Sequence, residues 1–491
     1  MINFKLAGEQ SLSADYCQLT LLRQLIFAKP FEKALNNASF IRYNKRNRIK
    51  STDRFQDFTK DRVLKQSLKT VCPLPLLYEF NSIEWAKNAI SLSDYFSSIE
   101  GPNNGYYKTF ECLLSALYII EEAKSTCTRK EDKNVSDQLS NILANLFRDL
   151  VRIGLDLLEK GANIFQNLSN KENVNDEIQF NRLTKPKDDN KFGSMFNLDL
   201  RPIMARILES DVNRMTPTNQ ESSTYNEINS STTLEIDNLV NSLVIPPTNY
   251  KMASRIFRLI LHCIMKAEFY YTLQDHCTDA VTLIQNRSKA YRLMAIFENN
   301  IHRQCCMHKR RTDMLSDVLK QLNPSYYLSI CSQLTFELAG TLNTLRDLKN
   351  IIFNQVSQKS GSESIHYARK FNDLTKRAIS AYENFLNLNG ISSNKTSLYF
   401  KESDIKPIVM ACIYTARLYS QLISIDNMEK IQNLTKALNF YSQTVLLAEN
   451  HIKHNSTTLI KSCEEIRIAK EMVSLLPIKL SRLSRGKIIP D

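Results

Sequence analysis

The stretch LSNILANLFRDLVRIGLDLLEKGANI, residues 139–164, decides the fold class of this chain. Its apolar residues recur three and four positions apart, which places them on one face of an α-helix. No proline interrupts the pattern, and with its flanks it extends over about 30 residues, longer than an ordinary globular helix. We therefore predict a linker helix over residues 137–168 that joins two helical subdomains. The pattern is made by Leu139, Ile142, Leu143, Leu146, Leu150, Ile153, Leu157 and Ile164.

The composition agrees with an all-α chain. Only 10 glycines and 13 prolines occur in 491 residues, so few turns require a positive or a fixed φ angle. The glycine-rich signatures of nucleotide-binding folds and the GxSxG turn of hydrolases are absent from the sequence. No nucleophile, base or carboxylate pair stands in a recognisable catalytic pattern. We predict a protein that is not an enzyme and that needs no cofactor.

Outward toward the N-terminus, a helical hairpin is predicted within residues 71–125, which form an N-terminal subdomain. Two runs of helical periodicity flank the turn Gly101-Pro102-Asn103-Asn104-Gly105. The single tryptophan, Trp85, lies in register with Ala89, Leu92 and Phe96, which predicts a core position rather than a binding hot spot. Residues 1–70 form a poorly defined basic N-terminal segment.

Outward toward the C-terminus, residues 170–233 are crowded with Asn, Asp, Ser and Thr and are predicted to be a largely disordered polar loop. Dense helical periodicity returns in residues 238–491, a predicted C-terminal tetratricopeptide-like subdomain. Its helices are predicted over residues 252–273, 283–307, 324–354, 365–388, 406–425, 431–451 and 458–485.

Two hairpins of this subdomain show the spacing of a tetratricopeptide second helix, in which a small residue precedes an aromatic residue by four positions. Ala378 with Tyr382 and Ala437 with Tyr441 reproduce it. Stacked hairpins that each present one apolar face build the continuous core of a solenoid. The sequence therefore predicts an α-solenoid of stacked helical hairpins.

The 11 cysteines are scattered without a CxxC pair, which is typical of reduced thiols inside a cell. A signal peptide and a stretch apolar enough to span a bilayer are not found, so we predict a cytoplasmic protein without a membrane span. The grouping of His302, Cys305, Cys306 and His308 suggests a zinc site. Helical spacing sends these side chains to different faces, so no metal is predicted.

A net charge of +13 raises the possibility of an anionic partner. Five basic residues cluster near the N-terminus, but few aromatic residues accompany them, so direct nucleic-acid recognition is not expected. The alternative function that the charge leaves open is a basic helical scaffold that binds RNA or an anionic surface. The cluster consists of Arg42, Lys45, Arg46, Arg48 and Lys50.

Three segments go beyond generic periodicity: IEWAKNAISLS at residues 83–93, CMHKRRTDMLSDVLKQLNPSYYLSICSQLTFELA at 306–339 and KEMVSLLPIKLSRL at 470–483. They closely resemble the KIF-binding protein family, also called kinesin-binding protein. The resemblance covers about residues 240–485 and is patchy over 60–165. The family's N-terminal repeats have no clear counterpart, so the chain has either diverged there or begins part-way through the fold.

The resemblance implies a right-handed tetratricopeptide-like α-solenoid with two subdomains joined by a long helix. It also implies a cytoskeleton-associated adaptor that binds a kinesin motor domain in a concave groove and hinders the motor from engaging microtubules. Neither the particular kinesins nor the oligomeric state is indicated.

Six kinesin-binding residues are carried over from the resemblance, three on the polar face of the Trp85 helix and three in a loop. A partner of a basic motor surface should be acidic, whereas this chain is basic; local potential matters more than net charge for such binding. The six residues are Lys87, Ser91, Asp94, His276, Thr278 and Asp279.

Overall fold

The structure is a computed structural model, and every regular element in the part of the chain that it describes is helical, with no strand. The all-α fold class is therefore confirmed. The described residues are 81–104, 106–126, 133–169, 243–357, 364–391, 402–424, 426–454 and 464–485, with Phe400 and isolated residues between 14 and 24 and between 195 and 203. The helices are α1 Ser82–Asn104, α2 Tyr107–Thr126, α3 Lys133–Ser169, α4 Tyr250–Glu268, α5 Cys277–Phe297, α6 Ile301–Gln321, α7 Leu328–Ser357, α8 Ser364–Leu388, α9 Glu402–Ser420, α10 Asn427–His454 and α11 Glu464–Arg485.

The chain divides into two compact units, Met1–Tyr270 and Tyr271–Asp491. In the first unit α3 packs against α1, α2 and α4. The helix predicted as a linker is thus the central helix of this unit, and α4 belongs with it rather than with the C-terminal repeats. Gly154 of α3 makes this packing possible, because a Cβ atom there would lie 2.6 Å from the Ile260 side chain of α4.

Trp85 is part of the first unit's core, as predicted, with 1% of its surface exposed. Its indole Nε1 donates a hydrogen bond to the carbonyl oxygen of Leu21 at 3.0 Å. The ring also meets Phe196 edge to face, with 5.5 Å between the centroids. Trp85 therefore connects α1 to two segments that are distant in sequence.

Phe196 belongs to the stretch 170–233, for which a largely disordered polar loop was predicted. The five residues described in this stretch are buried, and the Met195 amide donates to the buried carboxylate of Glu111 at 2.6 Å. The described residues thus contribute buried apolar side chains to the first unit. For the remainder of the stretch the disordered loop stays a prediction. The remainder of residues 170–233, the basic cluster at residues 42–50 and most of residues 1–70 lie outside the described residues. The buried residues are Met195, Phe196, Leu198, Leu200 and Ile203.

In the second unit each helix from α5 to α11 packs on the next one along the chain. Ala378 and Ala437 are fully buried, and Tyr382 and Tyr441 lie beside them in the core. The small residues allow close approach between the helices, and the aromatic rings fill the space between hairpins. The predicted stacking of helical hairpins is confirmed.

Several predicted helix boundaries were wrong. The single helix predicted over residues 283–307 is two helices, α5 and α6, and α6 continues to Gln321. The break occurs because the Asn300 side chain accepts hydrogen bonds from the amides of His302 and Arg303, which caps a new helix. Residues 324–326 form a turn before α7 rather than its first turn, and α4 ends at Glu268 rather than at 273.

The predicted end of α8 is confirmed at Leu388. Gly390 follows with a φ angle of 75°, a left-handed conformation that glycine adopts without steric cost. The amide of Ile391 then donates to the carbonyl of Leu386 at 2.9 Å and completes the helix end. Among the described helices, none combines the length and apolar composition needed to cross a membrane.

Candidate functional site

The polar face of α1 carries Lys87, Ser91 and Asp94, and all three side chains are exposed. The opposite face of the same helix contributes Trp85 and Leu92 to the core. We call the exposed row the α1 stripe. Its three residues lie at i, i+4 and i+7, so they form one continuous row on the helix surface.

Asp94 forms an ion pair with Arg152 of α3 at 3.3 Å, and Arg152 also approaches Asp149 at 3.6 Å. More than half of the side-chain surface of Asp94 and Arg152 is exposed, so the pair contributes little to stability. Burial raises the pKa of Asp149, and Arg152 partly counteracts this. The α1 stripe thus ends at a mixed cluster in which one guanidinium faces two carboxyl groups.

The predicted loop around His276, Thr278 and Asp279 is instead the beginning of α5. His276 occupies the N-cap position, and its ring meets Tyr271 edge to face at 5.6 Å between centroids. Thr278 and Asp279 lie in the first helical turn, where a carboxylate interacts favourably with the helix dipole. The loop was implied by the resemblance, which does not indicate where α5 begins, and the cap residue His276 makes no side-chain cap hydrogen bond.

The connection between α6 and α7 lies beside this helix start. Tyr326 and Tyr327 are 82% and 37% exposed, and Leu328 is exposed as well. The Tyr327 phenol forms a side-chain hydrogen bond with Cys277, which raises the pKa of Tyr327. Sequence analysis did not select these tyrosines as candidate binding residues, although the turn-forming run that begins at Pro324 could have indicated an exposed loop.

The start of α5 and the start of α7 both pack on one apolar cluster. Leu273 and Cys277 pack into it from the start of α5, and Ile330 packs into it from the start of α7. The exposed groups above the cluster are therefore held on ordered backbone. We call this surface the tyrosine edge, and it comprises Asp275, Thr278, Asp279, Tyr326 and Tyr327.

The tyrosine edge is locally acidic. Asp275 and Asp279 contribute two carboxylates. Asp275 is held by a hydrogen bond from the Thr272 hydroxyl at 2.8 Å. A chain with a net charge of +13 therefore has an acidic surface at this position.

The α1 stripe belongs to the first unit and the tyrosine edge belongs to the second unit. The structure keeps Lys87, Ser91 and Asp94 together, and it adds two tyrosines to the second predicted group. The side chains considered for zinc diverge, since Cys305 and His308 are buried whereas His302 and Cys306 are exposed.

In helical-repeat proteins each helix packs on its neighbours along the chain, as the helices of the second unit do. The chain is a helical-repeat protein of this class. Residues 83–483 match the family described as KIF-1 binding protein C terminal. The chain therefore belongs to this family.

Relatives with the name KIF-binding protein occur in several vertebrates. The chain is 29% identical over 436 residues to the protein of Xenopus tropicalis, which covers 87% of this chain and 65% of that protein. It is 27% identical over 411 residues to the protein of Gallus gallus, covering 83% and 63%. It is 30% identical over 236 residues to the protein of Homo sapiens, covering 48% and 37%. The chain thus spans less than two thirds of the length of these relatives.

Proposed function

We propose that this chain is a non-enzymatic adaptor that binds kinesin motor domains. The observation that carries the proposal is its membership of the KIF-1 binding protein C terminal family over residues 83–483. The relatives bear the name KIF-binding protein, and the open, polar surfaces of both units suit a protein partner. Binding of the motor would hinder its engagement with microtubules and place the chain on the cytoskeleton in the cytoplasm.

The tyrosine edge is the surface on which we place the main contact. Tyr326 offers a nearly fully exposed ring, and a lysine or arginine over such a ring gains a cation–π interaction. Asp275 and Asp279 would pair with the same or neighbouring cations of the motor. Tyrosine is enriched among residues that dominate interfaces, because it has large area and few rotatable bonds.

The α1 stripe is the second proposed contact. Asp94 already holds Arg152 at 3.3 Å, so a motor cation would share the carboxylate rather than meet an unpaired charge. Ser91 and Lys87 would supply polar contacts at the rim. Binding of the motor in a concave groove remains a prediction.

The test is a binding titration of the full chain against a panel of purified kinesin motor domains. Tyr326→Ala and Asp279→Lys should each weaken binding by about tenfold or more, which corresponds to ~1.4 kcal/mol. The Asp94→Lys variant tests the α1 stripe separately. Asp373→Lys is the matched control because it makes the same charge change at an exposed position of α8.

Tyr326→Ala and Asp94→Lys should leave helicity and melting equal to those of the unmodified chain. Asp279→Lys should lower the melting temperature slightly, because it removes a carboxylate from the first turn of α5. Unchanged affinity in both tyrosine-edge variants would remove that surface from the proposal. Failure to bind any motor domain would remove the function itself. RNA binding that weakens steeply with salt would then favour the basic scaffold.

A further inference from the structure

The last helix, α11, has apolar residues on two faces. Ile466, Ala469 and Leu476 are buried against the rest of the second unit. On the other side Ile468, Leu475 and Ile478 are 43%, 57% and 52% exposed. The outer face of a helix at the surface of a protein is normally polar. The outer face of α11 departs from this rule.

The exposed residues form a regular seam. Positions 468, 471, 475, 478 and 482 are spaced alternately three and four apart, as are the a and d positions of a coiled coil. Ile, Leu and Ile occupy three of them, and Glu471 and Arg482 occupy the other two. We call these five residues the outer seam. No ion-pair partner is found for Glu471 or Arg482 among the residues that the structure describes.

The charges of the outer seam distinguish between possible occupants. Glu471 lies on the N-terminal side of Leu475 and Ile478, and Arg482 lies on the C-terminal side. A second copy of α11 in parallel orientation would place like charges opposite each other. An antiparallel copy would place Leu475 against the second copy's Ile478 and Glu471 against the second copy's Arg482, each pair occurring twice by symmetry.

We propose that the outer seam of α11 pairs with the same seam of a second copy of this chain in antiparallel orientation. The contact is isologous and closes on itself, so it produces a dimer rather than a filament. The helix has 22 residues and is thus about 33 Å long, so the buried area is small. Such an interface gives a weak, concentration-dependent dimer.

Sedimentation of the full chain over a series of concentrations tests the proposal. The unmodified chain should shift from monomer to dimer as concentration rises. The Leu475→Glu/Ile478→Glu variant should weaken dimerisation at least tenfold, because four carboxylates would then meet at the centre. Met428→Glu is the control, since Met428 is similarly exposed at 47% but lies on α10.

A charge exchange tests the orientation. Glu471→Arg alone and Arg482→Glu alone should each weaken the dimer, because each creates a like-charge pair across the symmetry axis. The double variant Glu471→Arg/Arg482→Glu should restore the affinity of the unmodified chain. A chain that stays monomeric at every concentration, or a dimer that these variants leave unaffected, would overturn the proposal. Motor binding is measured at other surfaces, so either result leaves the proposed function to its own test.

Discussion

Trp85→Ala is expected to destabilise the first unit strongly. The indole is 1% exposed, and truncation of such a ring to alanine typically costs about 3–5 kcal/mol through lost burial and cavity formation. The change also removes the hydrogen-bond donor to the buried Leu21 carbonyl. The unpaired carbonyl adds to the loss of stability. For a unit of this size, about 4 kcal/mol corresponds to a fall in melting temperature of roughly 10 °C.

Trp85→Phe separates the two contributions. A phenyl ring keeps most of the volume and its contact with Phe196, but it cannot donate to Leu21. We therefore expect this variant to lose about 1–3 kcal/mol, the cost of a buried acceptor without its donor together with a smaller cavity. The difference between the two variants measures the packing of the ring itself.

The assay is urea unfolding followed by circular dichroism. Trp85 is the only tryptophan, so its fluorescence in the unmodified chain identifies which unfolding transition belongs to the first unit. Hydrogen exchange around Phe196 provides a second reading, because that segment should open more readily when the indole is absent. A loss below about 1 kcal/mol in Trp85→Ala would refute the reasoning, since a fully buried indole cannot be that dispensable.

Two other predictions concern the buried side chains of His308 and Arg311 in α6 and the close packing of α3. Burial and Arg311 lower the pKa of His308 from 6.5 to about 4, so the unfolded chain takes up this proton first as pH falls. The contribution of neutral His308 to the free energy of unfolding is complete above about pH 6.5 and is lost as the pH falls toward 4. His308→Gln should therefore flatten the dependence of the unfolding free energy on pH in this range, as measured by urea unfolding. Gly161→Ala should destabilise the fold by about 1–3 kcal/mol, because the added Cβ would lie 2.5 Å from a backbone oxygen of the segment before α4. Gly340→Ala should instead stabilise the fold by up to about 1 kcal/mol, because the nearest atom to its added Cβ is 3.9 Å away. Melting temperatures of the two alanine variants provide the comparison, and equal shifts would contradict the packing argument.

Periodicity in the sequence was sufficient to predict the helical fold class and the buried faces of several helices. A helix repeats its exposure to core and solvent every 3.6 residues, so the positions of Trp85, Ala378 and Ala437 in the core could be inferred from their neighbours along the chain. The end of α8 was equally local, because the Asn389-Gly390 pair supplies the left-handed residue that terminates a helix. The exposed stripe of α1 follows from the same argument, as the complement of its buried face.

The break between α5 and α6 shows the limit of periodicity. Asn300 caps α6 through its side chain, but an asparagine between two helical patterns is also compatible with one continuous helix. The cap prevails because the chain reverses there and α5 packs against α6. That reversal is a tertiary event, and periodicity alone does not indicate it.

The sequence by itself determined that the chain is helical, that its hairpins stack and which family it belongs to. Only the tertiary structure decided that α3 is a central helix, that Phe196 reaches Trp85 and that Tyr327 lies beside Cys277. The two side-chain contacts join residues that are 50 and 111 positions apart in the sequence. The central position of α3 depends on which of its faces other helices cover. The physical reason is that hydrogen bonding and periodicity within a helix act over four residues, whereas burial depends on every segment that packs around a side chain.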